Sequence, residues 1–230
     1  MNARHRMRAG LGLTILMVAA LLPQWAWAGP PLLCWPFDIE GERSLPFGQG
    51  GWRAGSPDYD IRNLVEDTLG LLNPSTPTIV RMETIRRATV YALTDKAAGQ
   101  ELRARLEARV RLAEASGKPD ALAVFDFGYL LGTYSQTGRH IGTTLQGDGD
   151  EGYRLVKKAI ELRGKDAEME LAAAMMRVDT LWGRGKSEHI ERALAGARPG
   201  SLLARNLLRQ RELLGLGPAV ASRLSVPEKP

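Results

Sequence analysis

The chain is poor in the residues that staple or metallate small proteins. Among its 230 residues there is one cysteine, Cys34, and three histidines. A lone cysteine excludes an intramolecular disulfide, so the fold must hold by its core. Only His140 and His189 lie beyond the first 28 residues. With Cys34 they show no structural-site spacing, so neither a metal nor another cofactor is expected. Also missing is any alternating apolar and polar run of useful length, which argues against strands as a main element. What remains is 44% hydrophobic and 25% charged, an ordinary globular composition in a chain long enough for one good core.

A formal net charge of +5 invites a nucleic-acid reading until the excess is located. Arg4, Arg6 and Arg8 precede the apolar run Ala9 to Leu22, and Ala26, Trp27 and Ala28 then stand before Gly29. A basic start, an apolar middle and small residues flanking the triplet are the three parts of a secretory signal. Residues 1–28 are therefore expected to be removed, leaving an exported protein in the periplasm or outside the cell. The run is shorter than the roughly 20 residues of a spanning helix, and no membrane span is expected after cleavage. Removing three of 31 basic residues and none of 26 acidic ones leaves residues 29–230 at +2. Most of the basicity is thus a targeting label, and no nucleic-acid partner is expected.

Residues 29–57 are rich in glycine and proline yet carry Trp35, Phe37, Phe47 and Trp52. Such a stretch predicts an irregular arm whose rings dock on a helical body. The alternative is an exposed aromatic recognition strip in which Trp35 and Phe37 bind a partner. From Asp58 the period becomes helical. Helices are predicted from about 58 to 72, from Pro77 to Leu93 with Thr76 as cap, and from Lys96 to Ser116 with a narrow seam of Leu102, Leu106, Val110 and Ala113. Asp120 caps the most apolar segment of residues 29–230, Asp120 to Gln136. Residues 139–150 read as a loop, and further helices are predicted at 151–163, from Asp166 through Met176, at 187–197 with Ser187 as cap, and at 201–214. Residues 216–230 lose the period and read as a flexible tail. The body, 58–215, is therefore expected to be all-α, with about eight helices in antiparallel pairs, either a compact bundle or a short solenoid.

Two stretches, FDFGYLLGTY at 125–134 and KKAIELRGKDAEMELAAAMM at 157–176, resemble helix segments of tetratricopeptide (TPR) repeats. The resemblance makes Gly128 and Ala172 corresponding small positions, although they lie 44 residues apart and the TPR period is about 34. It implies a helical-repeat scaffold that binds a protein or peptide.

Catalytic constellations are incomplete. Residues 180–187, TLWGRGKS, end like a phosphate loop but have Thr180 where the leading glycine belongs. Asp148, Asp150 and Glu151 fail as a calcium loop, since Tyr153 and Ala159 occupy the positions that need glycine and glutamate. Carboxylates such as Glu66 with Asp67, or Glu168 with Glu170, diverge on their helices and lack an aromatic sugar platform. Cys34 with His140 or His189 would be the nucleophile and base of a hydrolase, if the fold joined them. Asp126, between Phe125 and Phe127, needs a partner if enclosed, and Arg86 or Arg87 is the expected one. The functional version places Asp126 and Tyr129 in a groove between helix pairs. A non-catalytic protein- or peptide-binding scaffold is the favoured expectation, with a secreted hydrolase using Cys34 or a carboxylate as the alternative.

Overall fold

The computed structural model describes residues 29–48, 51–142, 145–178 and 185–225, with the backbone alone at 139 and 140. The predicted signal, residues 1–28, lies outside the described residues. The described residues form an all-α protein with no strand beyond an isolated bridge between Phe47 and Gly55. Eleven helices follow in order: α1 (Pro31–Cys34), α2 (Leu64–Leu71), α3 (Thr78–Ala92), α4 (Lys96–Ala115), α5 (Ala121–Ile141), α6 (Gly149–Arg163), α7 (Ala167–Met176), α8 (Lys186–Gly196), α9 (Leu202–Arg209), α10 (Arg211–Leu214) and α11 (Pro218–Leu224). A 3-10 turn, Ile61–Asn63, leads into α2.

Aspartates start most of the long helices. Asp95, Asp120, Asp148 and Asp166 each accept two backbone N–H bonds from the first turn of α4, α5, α6 and α7. Each satisfies donors that a helix start leaves orphaned, a contribution of about 1 kcal/mol apiece. Two predicted caps differ. Pro77 takes the position before α3, and the Thr76 hydroxyl instead donates to the Leu71 carbonyl. Gly185, at φ 81°, precedes α8, which takes Ser187 into its first turn.

From α2 to α10 successive helices pack against one another, α1 packs on α3, α5 and α7, α11 packs on α9, and α3 also reaches α5 and α7. The α3 to α7 contact bypasses the three intervening helices, α4, α5 and α6, and closes the body into a compact bundle. Thr78 and the Ile79 amide seal it by donating to Asp166 and Glu168. The tightest crossing joins α5 and α6. A Cβ on Gly128 would lie 2.7 Å from the Leu155 Cβ and 2.8 Å from the Gly152 carbonyl oxygen, and one on Gly152 would lie 2.5 Å from the Gly128 oxygen. Only hydrogen side chains let these two backbones meet.

Three boundaries correct the sequence expectation. Helix α5 continues to Ile141, past the predicted loop start, and stops at Gly142 in the left-handed region. The predicted helix over 201–214 breaks at Gln210 into α9 and α10. Beyond it, residues 218–224 form α11 instead of a tail. Leu224 is buried, and its carbonyl accepts from the Gly200 amide. A helix of seven residues with one of them buried leaves too little periodicity to read from sequence.

The arm is part of the core. Leu32, Leu33, Phe37 and Leu45 are buried, with Trp35 and Phe47 packed partly against the same cluster. Burial of each large apolar side chain contributes about 1.5–3 kcal/mol. Its backbone polar groups need partners where water is excluded, and side chains of α3, α5 and the α9–α10 junction supply them.

Candidate functional site

Three buried polar centres organise the molecule. The first lies on α3. Glu83 accepts from Arg86 Nε at 2.7 Å and Nη2 at 2.8 Å, from Arg87 Nε at 2.8 Å and from the Phe37 amide at 3.0 Å. Arg86 and Arg87 in turn donate to the carbonyls of Leu33 and Leu45, and Arg86 lies over the Phe47 ring. A carboxylate buried with two guanidiniums is tolerable because its lone pairs are filled by charge-assisted bonds. Further along, Gln136 accepts from the Leu32 amide, Asn206 exchanges bonds with the Asp38 backbone, and Gln210 donates to the Pro36 carbonyl. The arm is thus strapped across the bundle by its own main chain.

The second centre holds Asp126. Its partner is Arg81, at 2.6 Å, and both side chains are at most 2% exposed. This corrects the expectation of Arg86 or Arg87, which Glu83 and the arm engage. Arg81 also donates to the carbonyls of Thr76 and Asn73, tying the loop before α3 to α5. Only one oxygen of Asp126 is bonded, while Oδ1 has no partner among the described residues. Burial therefore outweighs the attraction of Arg81 and pushes the carboxyl up to about 6. Tyr129 is equally enclosed, stacked on Phe125 with ring centroids 5.8 Å apart, and burial raises its phenol. Neither residue lines an open groove, because α3 covers the face on which one was predicted.

The third centre joins α6, α7 and α8. His189 Nδ1 pairs with Glu170 Oε2, and His189 Nε2 lies 2.8 Å from the Tyr153 hydroxyl. Glu170 and His189 are buried, while Tyr153 is half-buried with Arg177 over its ring. A carboxylate, imidazole and hydroxyl in series have the connectivity of a nucleophile with its base and orienting group. Burial raises the Tyr153 phenol, however, so the terminal hydroxyl holds its proton. The array ties three helices together and orients Glu170.

Beside it opens a largely apolar surface cavity, about 630 Å³, between the end of α6, the start of α7 and the end of α8. Ile160, Ala167, Ala195 and Gly196 contribute its apolar wall, and Lys165, Glu170 and Arg192 its charges.

The other predicted site residues do not converge on it. Cys34 ends α1 in the arm, half-buried, and burial pushes its thiol up to about 11 despite Arg53 and Arg86 nearby. The His140 side chain lies outside the described residues. Phe37 is buried and its amide bound to Glu83, so it has no free face for a partner, while Trp35 is half-buried against the core. The phosphate-like stretch lies partly outside the described residues, which resume at Gly185. No cluster of three potential metal ligands occurs among the described residues, and no helix there is long and apolar enough to cross a membrane.

Sequence reasoning passed over Glu83, Arg81 and the joining of Glu170 to His189. The first had a signal, since Glu83, Arg86 and Arg87 stand at helical spacings of three and four. Glu170 and His189, nineteen residues apart on different helices, had none. Compared with protein-family models, with curated proteins and with solved structures, the chain matches none significantly.

Proposed function

We propose that this chain is an exported, non-catalytic helical protein that binds a protein or peptide through the cavity between α6, α7 and α8. Export rests on the basic, apolar and small-residue sequence of residues 1–28, and the TPR-like character on the stretches at 125–134 and 157–176. The observation that carries the binding role is the cavity itself: apolar walls open to solvent beside a buried carboxylate and two cations. Such a mixture suits a partner that offers both apolar surface and polar groups.

The competing hydrolase has weaker support. A thiol with a value pushed up to about 11 is almost wholly protonated at neutral pH, and Asp126 and Glu83 are engaged by arginines. A photo-crosslinking residue at Ala195, introduced in cells that export the protein, is expected to capture one recurrent partner. Failure to capture any, together with turnover of a cell-wall substrate by the purified protein, would overturn the proposal. Thiol labelling separates the cysteine version of the alternative: Cys34 is expected to react slowly in the native state and rapidly after unfolding.

A further inference from the structure

Glu170 is the unusual member of the cavity between α6, α7 and α8. Its side chain is 8% exposed, and His189 occupies Oε2. Among the described residues the other oxygen, Oε1, has only the Arg192 guanidinium at 3.7 Å, beyond hydrogen-bond length, and it is not fully enclosed, so water reaches it from the cavity. A ligand that fills the cavity displaces that water, and an N–H on the ligand replaces the hydrogen bond the oxygen would otherwise lose. Lys165, also lining the cavity, is exposed and has no ion-pair or hydrogen-bond partner among the described residues. Arg192, 56% exposed, is held only loosely, at 3.4 Å from Glu188. Between these polar groups the wall is apolar and built of small residues, with Ile160 the one large side chain.

We infer that the cavity receives the carboxy-terminal end of a peptide whose last residue is aliphatic. The terminal carboxylate pairs with Lys165 and Arg192, the aliphatic side chain packs against Ile160 and Ala167, and a backbone N–H of the peptide donates to Glu170 Oε1. Each ligand group answers one feature of the wall. A cationic ligand is disfavoured because the charged lining residues, Lys165, Arg192 and Glu170, sum to one positive charge. A fatty acid matches the cations and the apolar wall but brings no donor for Glu170, so it leaves that oxygen beside hydrocarbon. The volume of about 630 Å³ falls within the range of small-ligand sites, about 300–1,000 Å³. The inference rests on the peptide-binding role proposed above and assigns it a ligand class.

The test is an NMR titration of the purified protein with the tripeptide Ala-Ala-Leu, with the same peptide as its carboxy-terminal amide, and with decanoate. The free acid is expected to shift the amides of Gly164, Lys165, Ala195 and Gly196. Amidation is expected to weaken binding about tenfold, the effect of losing one charge-assisted contact. Lys165→Glu should weaken the free acid by a similar factor, and Ala195→Trp should block it. Both positions are exposed, and unchanged thermal melting will confirm that the variants fold. Equal binding of acid and amide, an inert Lys165→Glu, or decanoate binding as tightly as the peptide would overturn the inference. Shifts clustered on another face would overturn it as well, while leaving a peptide-binding role intact. Loss of the broader role is read separately, by the absence of a crosslinked partner in cells.

Discussion

Helices α3 and α4 both carry several arginines and have opposite fates. Three arginines stand on α3 and four on α4. Yet all of α3 except Arg87 is buried, whereas α4 buries only Gly99, Leu102, Leu106 and Val110. On α4 the charges pair along and beside the helix in water, as Arg105 does with Glu101 and Glu66, and Arg111 with Glu107. On α3 they pair inward and with backbone: Arg81 to Asp126 and the preceding loop, Arg86 and Arg87 to Glu83 and the arm. Arginine count alone therefore does not set exposure. Acceptors arriving from elsewhere in the chain do, because a guanidinium can leave water only where its donors are met.

The comparison breaks most visibly at Glu83. Glu83→Ala should strand Arg86 and Arg87 and release the Phe37 amide, costing about 3–5 kcal/mol. Urea denaturation will read the loss, and limited proteolysis should then cut within residues 29–57 faster than it does in the parent. A similar stability in the variant would mean that the arm is held by its apolar side chains alone.

Next in size is the Arg81 and Asp126 pair. Arg81→Met leaves a buried carboxylate, with a loss of about 3–5 kcal/mol, and the double variant Arg81→Met with Asp126→Leu should recover much of it. The pH dependence has a definite sign. The Asp126 carboxyl is raised to about 6, above its unfolded value near 3.9. Between those values the native state holds more protons than the unfolded one, so this group lowers stability as pH rises from about 4 to 6. Chemical denaturation across that window, compared with Asp126→Asn, should show this slope in the parent and not in the variant.

The smallest effect is predicted on α4. Arg105→Ala removes exposed pairs to Glu66 and Glu101 and should change stability by less than about 1 kcal/mol. A loss comparable to that of Glu83→Ala would erase the distinction between the two helices.

Much of the architecture was legible in the chain. Asp120 and Asp166 announced two helix starts, and the absence of strand alternation announced an all-α body. Helix α3 was readable as a helix but not as a buried one, since its apolar residues are interrupted by charge. Asp126 was recognised as needing a partner, yet Arg81 was not the one expected. An ion pair between α3 and α5 depends on how those helices are turned, and sequence spacing gives no information on that. The cavity was illegible for the same reason: Lys165, Glu170 and Arg192 are ordinary surface-type residues until α7 and α8 are packed.

Composition, period and capping chemistry are local, so the sequence by itself determined roughly where the long helices lie and how much apolar surface they must hide. Which charges entered the interior, which carbonyls of the arm they hold and where a cavity opened were decided by tertiary structure. Those outcomes depend on pairing groups tens of residues apart, and the free energy of burying a charge is set by the partner it meets.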